Sequence, residues 1–299
     1  MELRVLQYFL AIAREESISG AAEYLHISQP TLSRQIKDLE DELGTILFER
    51  GSRKIALTED GLLLRKRAEE IINLVDKTEA EIISDKTSLN GDIYIGCGET
   101  EGMLLIAKAI KEMHKYHPDV RFHLHSGNGN DIAERLEKGL IDFGIFIGDF
   151  DITQYHYLKF PYKDTFGVLM RKDSPLASLN SISEGDLEGL PLIVSDQGLS
   201  KDFIPKYVLN HGNYNIVATY NLLYNASLMV REGIGYALCL DKLVNTDCMS
   251  ELCFRPLEPK SEAEIIFVWK KYQLFSKTSQ YFLSLIQKIF TSKEGHDVS

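Results

Sequence analysis

The stretch that decides the fold of the N-terminal part covers residues 26–44 and reads HISQPTLSRQIKDLEDELG. Its apolar side chains recur at spacings of four, three and four residues, which predicts a helix with one apolar face: Leu32, Ile36, Leu39 and Leu43. Ser28 is a good N-cap, and Pro30 is tolerated in the first turn because N–H groups there lack intrahelical partners. Gly44 is the expected stop.

The other face of this helix is polar, with side chains that suit DNA: Gln29, Thr31, Ser33, Arg34 and Lys37. Short hydrogen-bonding groups at a helix N-terminus, followed one turn later by cations, can reach base edges and phosphates in a major groove. A solvated helix face is the alternative interpretation. The segments on either side favour DNA binding.

Two helices and a hairpin are predicted around this element. Apolar residues at three- and four-residue spacing predict a first helix with Leu3, Leu6, Leu10 and Ala13 inward, and Ser17 or Ser19 can cap a shorter second one. After Gly44, residues 47–50 and 55–57 bracket a turn, which predicts a β-hairpin. Such a hairpin can serve as the wing of a DNA-binding domain, following the phosphate backbone or entering the minor groove. The cations at or beside its turn suit that role: Arg50, Arg53 and Lys54.

A long helix is predicted from Thr58, its cap, to about residue 86. Its apolar residues alternate spacings of four and three: Leu64, Ala68, Ile71, Val75, Thr78 and Ile82. Such a heptad seam is typical of helices that pair with a second copy. The alternative is an ordinary core-facing helix, because further apolar residues lie off the strict seam: Leu62, Leu63, Leu74 and Ile83.

From Asp92 onward, strands and helices alternate, which predicts an α/β region with parallel sheets. Strands are expected at 93–95, 120–125, 143–147, 166–170, 192–194, 216–218, 236–240 and 265–269. Helices are expected at 103–116, 132–138, 222–232 and 279–290. Two α/β lobes of this kind usually enclose a ligand cleft beside their strand ends.

Composition narrows the functional class. The 299 residues are 44% hydrophobic and carry a net charge of −11. A basic surface that binds DNA therefore has to be confined to one part of the protein. No apolar run reaches the length of a membrane span, which predicts a cytoplasmic protein without membrane contact. The four cysteines form no CxxC pair, and no metal site is expected where imidazoles cluster: His114, His117, His123 and His125.

Sequence patterns of catalysis are also missing. No catalytic triad order, Walker loop or dinucleotide fingerprint is present, so we expect neither an enzyme nor a cofactor. The alternative to a regulator is a solute-binding or catalytic α/β module with an accessory DNA-binding head.

The residues resemble the LysR-type transcriptional regulators. The resemblance runs from FLAIAREESISGAAEYLHISQPTLSRQIKDLEDELGTILFER through LTEDG, and continues in HPDVRFHLHSGNGNDIAERLEKGLIDFGIFIG and VREGIGYALCL. It implies an α/β protein with a winged helix–turn–helix at 1–58, a dimerising linker helix at 59–90 and an effector domain at 91–299. That domain resembles type 2 periplasmic binding proteins, with one lobe of 91–163 and 264–299 and another of 164–263.

The resemblance also implies partners and site residues. The implied partners are double-stranded DNA, a small-molecule effector and a second copy of the chain, which pairs through the linker helix. A homotetramer is the commonest assembly in the family, and RNA polymerase is a further partner. DNA-reading positions fall on Ser28, Gln29, Pro30, Thr31, Ser33, Arg34 and Lys37, with Arg50 and Arg53 in the wing. Effector contacts fall on Glu99, Thr100, Glu101, Ser126, Gly127, Asn128, Ser195, Asp196, Tyr220 and Asn221.

The chemistry of these positions suggests which effector fits. Thr100 at a helix N-terminus ordinarily helps to hold an anion, but Glu99 and Glu101 beside it oppose one. We therefore expect a neutral, zwitterionic or cationic effector rather than a simple dicarboxylate. The alternative is that both glutamates only face solvent at the helix start. Redox sensing is not expected, because peroxide-sensing members carry their cysteine pair after the segment that reads LIVSDQG here, where this chain has none.

Overall fold

The computed structural model describes residues 1–50, 55–83, 89–197 and 214–294. The chain divides into two compact units, Met1–Ser84 and Asp85–Ser299. The described helices are all too short or too polar to cross a membrane.

Three helices form the start of the first unit: α1 (Leu3–Glu15), α2 (Ile18–Tyr24) and α3 (Gln29–Leu43). Ser17 caps α2, since its Oγ accepts the Gly20 N–H at 3.2 Å. Gly44 ends α3 with a φ of 70°, a left-handed conformation that favours glycine. The helix–turn–helix prediction is confirmed.

The buried faces of these helices differ slightly from the predicted ones. In α3, Leu32, Ile36 and Leu39 are buried as expected, but Leu43 is 43% exposed because it lies in the last turn, past its packing partners. In α1, Leu3 is exposed for the same reason at the other end. The core side of α1 is Val5, Leu6, Phe9, Ala11 and Ile12.

A hairpin and a long helix complete the unit. Strands β1 (Phe48–Arg50) and β2 (Ile55–Leu57) pair antiparallel, and α4 covers Glu59–Ile83. Thr58 caps α4 as predicted, accepting the Gly61 N–H at 3.0 Å. Only part of the predicted heptad seam of α4 is exposed. Leu64, Ala68 and Ile71 pack into the core of this unit. Other apolar residues of the helix are exposed: Leu62, Leu63, Leu74 and Ile82.

The second unit contains two sheets. The first has five strands in the order β4-β3-β5-β14-β6: β3 (Gly91–Cys97), β4 (Val120–Ser126), β5 (Phe143–Ile147), β6 (Tyr155–Lys159) and β14 (Ile265–Lys270). Around it lie α5 (Met103–Tyr116), α6 (Gly129–Glu137) and a C-terminal helix, Lys277–Glu294. The chain thus returns to this sheet through β14 after building the second one.

The second sheet has the order β10-β9-β11-β7-β12-β8, with β13 paired to β7. Its strands are β7 (Asp164–Arg171), β8 (Ile182–Ser183), β9 (Pro191–Ser195), β10 (Asn215–Tyr220), β11 (Tyr236–Leu240), β12 (Leu252–Glu258) and β13 (Glu262–Ala263). Among its helices are α7 (Glu184–Leu187) and α8 (Leu223–Arg231), so the C-terminal helix is α9.

The α/β class is confirmed, but the sheets are mixed rather than purely parallel. In the first sheet β14 runs antiparallel to β5 and β6, and in the second β11 and β12 run antiparallel to β7. The reversed strand of each sheet, β7 or β14, is the first strand after the chain crosses from the other sheet. Each sheet packs into its own apolar core, and Ile147 at the end of β5 contacts the cores of both lobes.

Candidate functional site

The N-terminus of α3 is ordered by its own cap. The Ser28 Oγ accepts the Thr31 N–H at 3.3 Å and lies 2.7 Å from the Thr31 hydroxyl, and Pro30 occupies the first turn. This cap uses one of the free N–H groups of the helix start. The cap thereby holds the backbone of the first turn in its helical conformation.

The polar face of α3 is open to solvent. Five of its predicted DNA contacts are exposed, namely Gln29, Pro30, Thr31, Arg34 and Lys37, whereas Ser33 is half-buried. The Arg34 side chain is 83% exposed, and its Nε is 3.9 Å from the Asp38 carboxylate. An ion pair that long in water is weak, so the guanidinium stays available to another partner.

The wing cations are only partly described. Arg50 is the last residue of β1, and its side chain lies outside the described part of the structure. Arg53 and Lys54 lie outside the described residues. The prediction that these three cations follow the DNA backbone therefore stays a prediction.

A narrow cleft of about 50 Å³ lies between the two lobes of the second unit. Its polar lining contains Glu99, Asn128, Ser195, Gln197, Tyr220 and Asn221, and its apolar lining contains Ile147, Phe166, Leu223, Leu238, Leu240 and Leu243. Six of the predicted effector residues thus come together: Glu99, Gly127, Asn128, Ser195, Tyr220 and Asn221. No lysine or arginine is among the described lining residues.

Glu99 connects the two lobes across this cleft. It follows β3 of the first sheet, and its Oε2 accepts the N–H of Leu223, the first residue of α8 beside the second sheet. The N-cap residue of α8, Leu222, provides no side-chain cap of its own. A carboxylate from the opposite lobe therefore caps this helix and meets the positive end of its dipole.

Thr100 and Glu101 point away from the cleft. Thr100 is buried, and its hydroxyl donates to Asp164 Oδ2 at 2.5 Å while accepting the Gly102 N–H at 2.8 Å. Glu101 is paired with Lys242 at 2.8 Å on the rim of a different cavity. Burial raises the pKa of Asp164, with the charges of Glu101 and Asp241 acting in the same direction.

The second loop contributes less than predicted. Ser126 is exposed at the end of β4 and does not belong to the described lining of the cleft. Asn128 does line it, and also caps α6, because its Oδ1 accepts the Asp131 N–H at 3.0 Å. The backbone of Gly127 lies between them on the cleft wall.

The second lobe supplies a buried polar edge. Ser195 is buried at the end of β9, and the neighbouring Asp196 is exposed. Tyr220 donates its hydroxyl to the Leu238 carbonyl at 2.6 Å, and burial raises its pKa well above the usual value. Asn221 Oδ1 accepts the Leu222 N–H at 2.9 Å, just before α8 begins.

Sequence reasoning missed the apolar wall of the cleft. Phe166, Leu238 and Leu240 belong to strands that were recognised, and alternation along those strands marks which side chains share a face. Cys239 also lines the cleft, but burial raises the pKa of its thiol far above the usual value. A thiol held protonated in this way is a poor nucleophile.

Two of the clustered histidines have structural partners in separate places. His114 Nε2 lies 2.7 Å from the Val120 carbonyl, and His123 Nε2 lies 2.8 Å from Asp92 Oδ1.

A helix–turn–helix with an exposed polar recognition helix, together with a two-lobed α/β unit around a cleft, defines a ligand-responsive DNA-binding regulator. Comparison with family models agrees. The model described as "Bacterial regulatory helix-turn-helix protein, lysR family" matches residues 3–62, and the "LysR substrate binding domain" matches residues 86–290. The chain belongs to the LysR family of transcriptional regulators.

Individual relatives cover different parts of the chain. The uncharacterized HTH-type transcriptional regulator YvbU of Bacillus subtilis is 27% identical over 97% of this chain and 99% of its own. The DNA-binding transcriptional dual regulator OxyR of Escherichia coli is 31% identical over 66% of this chain and 65% of its own.

Among solved structures, the full-length CbnR complexed with its target DNA has a TM-score of 0.73 at 17% identity, covering 97% of this chain and 100% of that one. At this identity the likeness concerns the fold.

Proposed function

We propose that α3 enters the major groove of a specific DNA site. The observation that carries this proposal is the division of α3 into a buried apolar face and an exposed polar face at its capped N-terminus. Base edges are read from the first turns by Ser28, Gln29, Pro30, Thr31, Ser33 and Arg34. Lys37, Arg50, Arg53 and Lys54 contact phosphates.

The assembly follows from the long helix. Two copies pair through α4 and place two recognition helices on a partly symmetric site, and pairs of dimers bend the DNA between two sites. The exposed apolar residues of α4 support this pairing: Leu62, Leu63, Leu74 and Ile82. An effector in the cleft changes the lobe geometry and so the DNA bend, and the protein acts as a cytoplasmic regulator rather than as an enzyme.

The experiment that tests DNA reading compares Arg34→Ala with Lys37→Ala. Fluorescence anisotropy is measured with DNA from upstream of the protein's own gene and with random DNA, over a series of salt concentrations. Arg34→Ala should weaken binding to the specific site by about 1–3 kcal/mol, while Lys37→Ala weakens binding to both DNAs and lowers the salt slope by about one.

Both variants replace exposed side chains of one helix, so each controls for the other's effect on folding. An equal loss on specific and random DNA for Arg34→Ala would contradict base reading by this residue.

For the effector, we propose a neutral, zwitterionic or cationic small molecule. Glu99 already supplies the carboxylate at the N-terminus of α8, and the described lining contains no cation to attract a second anion. A simple dicarboxylate would have to displace Glu99 and would meet its charge.

Isothermal titration with succinate tests this class. The wild-type protein should show no saturable heat, and Glu99→Gln, which removes the opposing charge, should bind succinate better than the wild type. Tight binding of succinate to the wild type, with no gain in Glu99→Gln, would refute the proposal.

A further inference from the structure

A second and larger cavity lies on the other side of the segment that carries Glu99 and Thr100. Its volume is about 320 Å³, within the range in which small-molecule sites fall, whereas the cleft measures about 50 Å³. It is lined from both lobes, by residues of α5 on one side and by residues at the start of β7 and the end of β11 on the other. A ligand in this cavity contacts both lobes at once.

The lining of the cavity carries charges of both signs. Lys108 on α5 is exposed at the wall and has no ion pair in the described part of the chain. The same lining contains the carboxylates of Asp164 and Asp241. The remaining lysines of the lining are already paired, Lys242 with Glu101 at 2.8 Å and Lys163 with Glu264 at 3.2 Å.

The acidic side has unused hydrogen-bonding capacity. Asp164 is buried and accepts the Thr100 hydroxyl through one oxygen, Oδ2. Asp241 accepts the adjacent Lys242 N–H at 2.7 Å through its Oδ1. A carboxylate has two oxygens and about four acceptor positions, so both groups can accept further donors. Burial raises the pKa of Asp164, and a cation placed beside it would relieve that cost.

The cavity also has an apolar part. Leu104 and Leu105 line the cavity from the first turn of α5, and Leu104 is largely exposed there. An aliphatic group against these leucines removes apolar surface from water, which favours binding.

We propose that this cavity binds a small aliphatic zwitterion of the α-amino-acid class, with its carboxylate at Lys108 and its ammonium between Asp164 and Asp241. The occupant acts on the neighbouring cleft, because Asp164 holds the Thr100 hydroxyl and Thr100 follows Glu99, the residue that caps α8. The proposal concerns binding to the protein alone and does not depend on DNA recognition.

The test is isothermal titration of the full-length protein with L-leucine and L-valine. Two analogues dissect the charges: isocaproate is leucine without the ammonium group, and isoamylamine is leucine without the carboxylate. At least one amino acid should bind saturably, and both analogues should bind about tenfold more weakly or worse, because each loses one charge-assisted contact.

Three variants locate the site. Lys108→Met and Asp241→Asn should each weaken amino-acid binding about tenfold or more, while Lys111→Met, an exposed lysine on the same helix outside the cavity, should bind like the wild type. Circular dichroism confirms that each variant is folded. Undiminished binding to Lys108→Met would place the ligand elsewhere, for example in the cleft, and would overturn the proposal. Equal binding of an analogue, or no binding of either amino acid, would overturn it as well.

Discussion

Two helix N-termini of this protein are covered in different ways. The N-terminus of α3 is capped by Ser28 of its own chain segment and remains open to solvent. The N-terminus of α8 has no side-chain cap of its own and receives the Glu99 carboxylate from the opposite lobe. Helix N-termini attract anions through their free N–H groups and dipole. One of these two ends is therefore available to an external partner, and the other is already occupied.

This difference indicates how each site is used. The exposed end of α3 can meet phosphates and bases without any internal rearrangement. At α8, a ligand has to complement Glu99 or displace it. The proposed DNA recognition thus depends on anchoring the other face of α3, while the cleft depends on an interaction between distant parts of the chain.

The largest expected effect tests that anchoring. Leu32 is fully buried in the core of the first unit, so Leu32→Ala should lower the free energy of unfolding of this unit by about 2–5 kcal/mol. Urea unfolding followed by circular dichroism measures the change. Trp269, the only tryptophan, lies in β14 of the second unit, and its fluorescence transition should not move.

Leu43→Ala is the matched control on the same helix. Leu43 is 43% exposed, so its removal should change stability by less than about 0.5 kcal/mol. A large loss of stability with Leu43→Ala would mean that Leu43 packs in the core together with Leu32, Ile36 and Leu39, as the spacing alone predicts.

The contrast between Leu32 and Leu43 shows which features of the fold the sequence can predict. Periodicity identifies the face of a helix but not where its packing partners end, which is why Leu43 was predicted to be buried. Apolar runs with clear limits were predicted to the residue, as in α5, β5 and β11. Strands without such a run were missed: β6 reads YHYLK, and β12 contains Pro256, which normally argues against a strand.

The candidate sites divide in the same way. The proposed DNA-binding face belongs to one helix, so local spacing and capping were sufficient to predict it. The cleft joins residues far apart in sequence, such as Glu99 and Leu223, which are 124 positions apart. The family resemblance predicted that both Glu99 and Glu101 contact the effector. The structure distinguishes them, because Glu99 lines the cleft whereas Glu101 is paired with Lys242 outside it.

The second prediction tests the occupied N-terminus of α8. Glu99→Gln keeps a hydrogen-bond acceptor but removes the charge that faces the helix dipole, in a half-buried position. The free energy of unfolding of the second unit should fall by about 1–2 kcal/mol, as measured by Trp269 fluorescence in urea.

Glu101→Gln is the comparison for this variant, two positions along the chain. Its partner Lys242 is largely exposed, so loss of that ion pair should cost less than about 0.5 kcal/mol and disappear at high salt. Equal effects of the two substitutions would mean that the cap across the cleft contributes nothing specific.

The third and smallest prediction concerns the open N-terminus of α3. Ser28→Ala removes the acceptor for the Thr31 N–H and should lower the stability of the first unit by about 1 kcal/mol. Ser33→Ala, inside the same helix, should leave stability unchanged or raise it by a few tenths of a kcal/mol, because alanine has the higher helix propensity. Circular dichroism during urea unfolding measures both. If Ser28→Ala is as harmless as Ser33→Ala, the first turn is held by something other than its cap, and the contrast between a self-capped α3 and an α8 capped from the opposite lobe fails.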